Sequence, residues 1–163
     1  DVVIDPVNPS RVFAAIWRRS SEVTHWHIGG PASGIHRSLD GGDTWSELTA
    51  GLPTDDMGKI GLAIAPTNPL VVYANIINPL GTLQGIYRSL DGGNTWVKRN
   101  NNAAEDWYGT FGYYFAGIVV DPLDADHIGA HVAEKLAGPG AENYAGQFDD
   151  TNAVQGSRHA GLR

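Results

Sequence analysis

The sequence contains no cysteine, so disulfide bonds and thiol catalysis are excluded and the redox compartment stays open. It has no apolar run long enough to span a bilayer, so membrane insertion is not expected. Basic residues are scarce: 11 Lys and Arg against 18 Asp and Glu leave a formal charge of −7. Nucleic acid and anionic membranes call for a basic face, so neither is an expected partner. A Ser-His-Asp triad, a phosphate-binding loop and zinc-ligand spacings are all missing. The chain opens at Asp1 without a methionine or a leader, which reads as a removed leader or a piece of something larger.

Glycine is abundant instead, with 21 among 163 residues, and nine prolines add to the turn-forming content. The apolar residues lean toward Val, Ile, Tyr and Trp, which suit pleated, half-buried surfaces. The expected class is all-β, and the length suits one ordinary domain.

One phrase is written twice. Ser38-Leu39-Asp40-Gly41-Gly42-Asp43-Thr44-Trp45 recurs as Ser89-Leu90-Asp91-Gly92-Gly93-Asn94-Thr95-Trp96, differing only at Asp43 against Asn94. Gly34-Ile35-His36-Arg37 precedes the first copy and Gly85-Ile86-Tyr87-Arg88 the second. An internal repeat announces a stacked architecture.

Each unit opens with a short apolar strand that runs into a proline-bounded turn. These are Val2-Val3-Ile4 before Pro6, Gly61-Leu62-Ala63-Ile64 before Pro66, and Gly117-Ile118-Val119-Val120 before Pro122. Proline fixes φ, and asparagine or aspartate tolerates tight turns, so each is a hairpin signal. Second strands follow at 11–16 and 71–76, third strands at 34–37 and 85–88, and fourth strands at 45–48 and 96–98. Four antiparallel strands per unit make a propeller blade. Blades are expected at about 1–51 and 60–100, with the start of a third at 113–132. The two proline turns lie 60 residues apart and the two phrase serines 51, so the longer first unit carries its extra residues between its second and third strands.

The phrase resembles the Asp-box, or BNR repeat, of sialidase-like, xyloglucanase-like and sortilin-type (VPS10) β-propellers and of photosystem II assembly-factor propellers. The wording around it, from Val3 to Trp17 and from Gly29 to Ser38, looks most like the bacterial sortilin-like "glycosyl hydrolase, BNR repeat" group. The likeness covers roughly residues 1–130. It implies that Ser38, Asp40, Gly42 and Trp45, with Ser89, Asp91, Gly93 and Trp96, are architectural and sit away from a substrate face. Their chemistry agrees: Ser and Asp oxygens pin turns, glycines allow left-handed backbone, and the tryptophans offer packing faces. Calcium ligation by Asp40, Asp43 and Asp91 is the alternative, but each turn offers two or three side chains where calcium takes six to eight oxygens.

Two segments are candidates for contact with a ligand. The first, residues 17–31, mixes Trp17, Arg18, Arg19, Trp26 and His27, and indoles stack on sugars while arginines hold carboxylates. His25 and His27 alternate as metal ligands on a strand would, but Glu22 is their only acidic neighbour, and a solvated loop is the expectation. The second, residues 106–115, is aromatic at six of ten positions and includes Trp107 and Tyr108. Tyr113 to Phe115 are expected to begin a buried strand. Glycoside hydrolysis needs two carboxylates; Asp56 and Asp106 are the candidates, with Asp55 and Glu105 beside them. Asp5 and Asp121 belong to repeated turns and read as structural.

Beyond about Val132 the repeat fades, residues 126–131 drift away from it, and 133–163 read as an irregular tail too poor in large apolar side chains for a blade. Two blades and part of a third do not close a ring, so the remaining blades are expected from a longer chain, in preference to further copies of this one. The expected role is non-catalytic binding of a protein, peptide or glycan through rim loops. The alternatives are a fragment of a carbohydrate-active glycoside hydrolase and a structural assembly subunit. No cofactor is expected, and the setting is extracellular or the cell envelope.

Overall fold

The computed structural model describes residues 1–21, 26–99, 111–122, 127–131 and 147–149. The first unit is a four-stranded antiparallel sheet. Its strands are β1 (Val2–Ile4), β2 (Val12–Ile16), β5 (Gly34–Ser38) and β6 (Ser46–Leu48), in that spatial order. Between β2 and β5 the longer connection carries a small hairpin of β3 (Ser20–Ser21) and β4 (Trp26–His27). The second unit repeats the meander with β7 (Ile60–Ile64), β8 (Val72–Ile77), β9 (Leu83–Ser89) and β10 (Val97–Lys98). The registers correspond: Val2 lies opposite Ala14 in the first sheet, and Leu62 opposite Ala74 in the second.

The third unit departs from expectation twice. Tyr113 and its neighbours form a one-turn helix, α1 (Gly112–Phe115), rather than the start of a strand, and Tyr114 points to solvent. The strand begins only at β11 (Gly117–Val120). Residues 127–131, read as drifting off the repeat, are strand β12 (His127–His131), paired with β11 from Gly117 opposite His131 to Val120 opposite Ile128. Small residues such as Gly129 hide a strand from apolar patterning, but they do not stop its backbone from pairing. Within 133–163, β13 (Gln147–Asp149) adds a third strand to this sheet.

The units stack face to face through two apolar layers. Phe13, Ile35 and Leu48 of the first sheet meet Leu62, Val72, Ala74, Ile76 and Trp96 of the second. On its other face the second sheet packs Ala63, Tyr73, Ile77 and Ile86 against Ala116 and Ile118. Strand β8 is buried along its whole length because it is sandwiched on both sides. Alternate residues of one strand therefore belong to different layers, as the period of two requires.

The repeated turn is built the same way both times. Ser38 Oγ accepts from Gly42 N at 2.8 Å and donates to Asp40 Oδ1 at 2.7 Å. Asp40 then accepts from Thr44 N at 2.9 Å and Thr44 Oγ1 at 2.5 Å. Ser89, Asp91, Gly93 and Thr95 repeat these bonds. Gly41 and Gly42 have φ of 79° and 108°, and Gly92 and Gly93 of 69° and 89°, a region that favours glycine. The hydroxyls of Ser38 and Thr44 hold the Asp40 carboxyl well below the usual range, and Thr95 with Ser89 brings Asp91 down to about 2. These acceptors are engaged within their own turns, which is a turn-making role.

The tryptophans that end the two turns do not share a fate. Trp96 is 3% exposed and sits in the layer between the first and second sheets, whereas Trp45 is 42% exposed. The expectation that both pack between strands or blades is corrected for Trp45. Among the described residues its sheet has a neighbour on one face only.

Candidate functional site

Loops from all three units gather at one rim. Gly30, at the end of the 17–31 connection, bridges to Met57, with Gly30 N donating to Met57 O at 3.1 Å. Gly58 N donates to Ile77 O at 2.6 Å, tying the connection between the first two sheets to the β8–β9 hairpin. Gly112 N donates to Gly81 O at 2.8 Å, which ties the third unit to the same hairpin. Glycine is needed at 58 because a Cβ there would lie 2.8 Å from Asn78 O and 2.9 Å from Ile28 O.

An open cleft of about 500 Å³ lies at this junction. Asp55 and Asp56 form one wall, and Asn78, Pro79, Thr82, Leu83 and Gln84 the other. Asn78 shapes the hairpin: its Oδ1 accepts from Leu80 N at 2.9 Å and Thr82 N at 3.1 Å, and its Nδ2 donates to Thr82 Oγ1 at 2.6 Å. Gln84 Oε1 is buried without a hydrogen-bond partner among the described residues. Gln84 lines the cleft, but this oxygen itself is shut off from solvent. Carboxylates, an amide and a hydroxyl in a cleft of this size suit a ligand rich in hydroxyl groups.

An aromatic patch lies nearby on the third unit. Phe111 stacks on Tyr113 with centroids 6.4 Å apart, Tyr113 meets Tyr114 in a tilted contact at 4.3 Å, and Phe111 and Tyr114 are largely exposed. Burial and the neighbouring Tyr114 raise the Tyr113 phenol, while the Arg19 guanidinium opposes that shift. Arg19 therefore comes within electrostatic reach of this patch from the first unit. Lys59 Nζ donates to Tyr114 O at 3.1 Å, and burial lowers its pKa.

The binding candidates from sequence divide accordingly. Trp17 is half-buried and its Nε1 donates to Ile28 O at 2.7 Å, so its N–H is committed to its own loop. Arg18 is exposed and its backbone N–H is held by Ser33 Oγ at 3.0 Å. Trp26 and His27 are placed by their backbones in β4, opposite Ser21 and Ser20. His25, Glu22, Glu105, Asp106, Trp107 and Tyr108 lie outside the described residues. Asp56 lines the cleft. Asp5 is 1% exposed and serves its turn: it accepts from Val7 N and Asn8 N and pairs with Arg11. Desolvation raises the Asp5 pKa, but these bonds outweigh it and hold the group below its ordinary value.

Asn78, Thr82 and Gln84 escaped the sequence reading. The Asn-Pro-Leu-Gly-Thr run from Asn78 to Thr82 was a visible turn signal. Its position beside Asp55 and Asp56 follows only from how the sheets stack. Among the described residues, no group of three or more His, Cys, Asp or Glu stands ready to hold a metal ion. No helix among them is long and apolar enough to cross a membrane.

This architecture is that of an incomplete β-propeller. No family model and no curated protein matches the sequence. Among solved structures the chain is similar to an ancestral GH74 enzyme, with 19% identity, a TM-score of 0.55, and 79% of this chain and 16% of that one covered. It is also similar to a GH74 enzyme of Niastella koreensis, with 16% identity, a TM-score of 0.52, and coverage of 79% and 20%. The chain thus spans about a fifth of their length or less. These β-propeller enzymes share the blade fold with it.

Proposed function

We propose that this chain is a glycan-recognising segment of a carbohydrate-active Asp-box β-propeller, with the rim cleft between Asp55-Asp56 and Asn78–Gln84 as its sugar site. The observation that carries this reading is the open cleft lined by Asp55, Asp56, Asn78, Thr82 and Gln84. Sugar hydroxyls are donors that its exposed Asp55 and Asp56 carboxylates can accept. The carboxylates and the chain's net negative charge favour a neutral glycan over an anionic one. The Phe111–Tyr114 patch and the Trp17–Arg19 segment extend the surface along which a chain of sugars lies.

The likeness in fold to GH74 enzymes supports placing the whole protein among glycoside hydrolases. Hydrolysis requires two carboxylates flanking a bond. Asp55 and Asp56 are sequence neighbours on one wall, so the opposing carboxylate comes from another blade. In these 163 residues the role is binding, the remaining blades of a longer chain complete the ring, and the setting is extracellular or the cell envelope.

Titration of the chain with neutral β-glucan oligosaccharides and with anionic oligosaccharides of equal length tests this. Binding of the neutral set, weakened about tenfold or more by Gln84→Ala with its loss of hydrogen bonds, is the expected result. Equal binding by the Gln84→Ala chain, or preference for the anionic set, rejects the site. Release of reducing ends by this chain alone, abolished by Asp56→Ala, would overturn the assignment of binding without turnover.

A further inference from the structure

Matching positions of the two full sheets have opposite exposure. Leu62, Ile76 and Trp96 of the second sheet are 3%, 0% and 3% exposed; the matching Val2, Ile16 and Trp45 of the first are 63%, 46% and 42% exposed. The residues are apolar in both sheets, and only the cover differs. In the second sheet the cover is the first sheet, and two of its residues engage the repeated turn. Phe13 lies against Gly93, whose added Cβ would come within 2.6 Å of its ring. Arg37 Nη1 donates to Gly92 O at 2.6 Å and to Asn94 Oδ1 at 2.9 Å.

The one difference between the two repeated phrases falls at this contact. Asp43 stands where the second turn has Asn94. It is exposed and makes no hydrogen bond or ion pair among the described residues. Asn94 Nδ2 also donates to Asp91 O at 2.7 Å, a bond that a carboxylate at 43 cannot make. Asp43 thus gives up a bond within its own turn, and what it offers in exchange is a full charge toward an incoming cation.

We infer that the open face of the first sheet docks one further four-stranded blade, not contained in these 163 residues, that presents an aromatic side chain at the Phe13 position and an arginine at the Arg37 position, the arginine pairing with Asp43. A second copy of this chain does not supply such a face. Phe13 lies opposite Arg37 in the first sheet, and Tyr73 opposite Arg88 in the second. The first of these faces is already packed on the second sheet, and the second against Ala116 and Ile118. In the third sheet the matching register holds Gly129 opposite Gln147, with neither an aromatic nor a cation. Two first-sheet faces meeting would place two Asp43 carboxylates in one interface.

The chain carries its own probe of this surface. Adding a copy of residues 1–60 ahead of the full sequence places a native Phe13–Arg37 face against the original first sheet, because residue 61 matches residue 1 in the repeat. The sequence has no cysteine, so Ile16→Cys in the original sheet gives a single thiol on the covered face. Modification of that thiol should slow at least about tenfold in the extended chain relative to the 163-residue chain. Asp43→Lys in the original sheet should erase most of that protection, and Arg37→Asp in the added copy should restore it, a reversal that a packing defect would not show. Equal modification rates, an extended chain that fails to fold by circular dichroism, or no rescue in the swapped pair would overturn the inference. So would protection in the 163-residue chain that rises with concentration alongside a dimer in sedimentation, because the occupant would then be a second copy.

Discussion

Arg37 reaches across 57 residues of sequence to place its guanidinium 2.9 Å from Asn94 Oδ1. The same nitrogen donates to Gly92 O, so one side chain of the first sheet holds two groups of the second sheet's turn. Replacing it by methionine keeps much of the stem and removes the donors. Arg37→Met should lower stability by about 1.5 kcal/mol, the lower end for hydrogen bonds from a charged group. Chemical denaturation of Arg37→Met, Asn94→Ala and the double variant checks it. Strictly additive losses would show that the two residues do not interact.

The two tryptophans of the repeated turn separate motif from context. Trp96→Ala empties a buried site and should cost about 3–5 kcal/mol, whereas Trp45→Ala should cost less than about 1 kcal/mol. Urea midpoints of the two variants decide the matter, and similar midpoints would mean that the two faces of the first sheet are covered alike.

This pair also shows how far the sequence reading could go. The repeated phrase, the proline turns and the alternating Val, Ile and Tyr pattern made strands β1, β2, β7, β8 and β11 legible, because turn chemistry and period two are local. The burial of Trp96 but not Trp45 depends on which sheet lies next door, which no local pattern encodes. The strand at His127–His131 was hidden by its small residues. The cleft was half legible: Asp56 was visible as a carboxylate in an inter-sheet connection, but Gln84 is an ordinary polar residue until the sheets bring it beside Asp55 and Asp56.

Acid should loosen the repeated turns. The folded Asp91 carboxyl titrates at about 2 against an ordinary value of 3.8, held down first by Thr95. A depressed pKa contributes stability that is complete above the unfolded value and is lost as pH falls from 3.8 toward about 2. The denaturation midpoint should therefore drop over that window, and Asp91→Asn should flatten part of the drop while lowering stability at neutral pH. A variant with the same acid slope as the parent chain would remove Asp91 from the explanation.

Gly61 sits where β7 passes closest to the third unit, and a Cβ there would lie 2.0 Å from Ala116 O. Backbone cannot move aside as a side-chain tip can. Gly61→Ala should cost about 1–3 kcal/mol, as overpacking does in a close-fitted interior. Limited proteolysis should then cut first in the third unit. Unchanged stability and an unchanged cleavage pattern would show that the two sheets are separable at no cost.

Strand β8 is the only strand whose every residue is buried among those with a described burial pattern, because sheets cover it on both sides. In a linear stack, each layer is held by its nearest neighbours, so opening starts at the outer layers and reaches the centre last. Amide hydrogen exchange should therefore grade along the stack. The slowest protons belong to the β8–β9 pairing, and exchange quickens toward β1. The middle sheet is the chain's clock: whatever unfolds the protein globally is timed there.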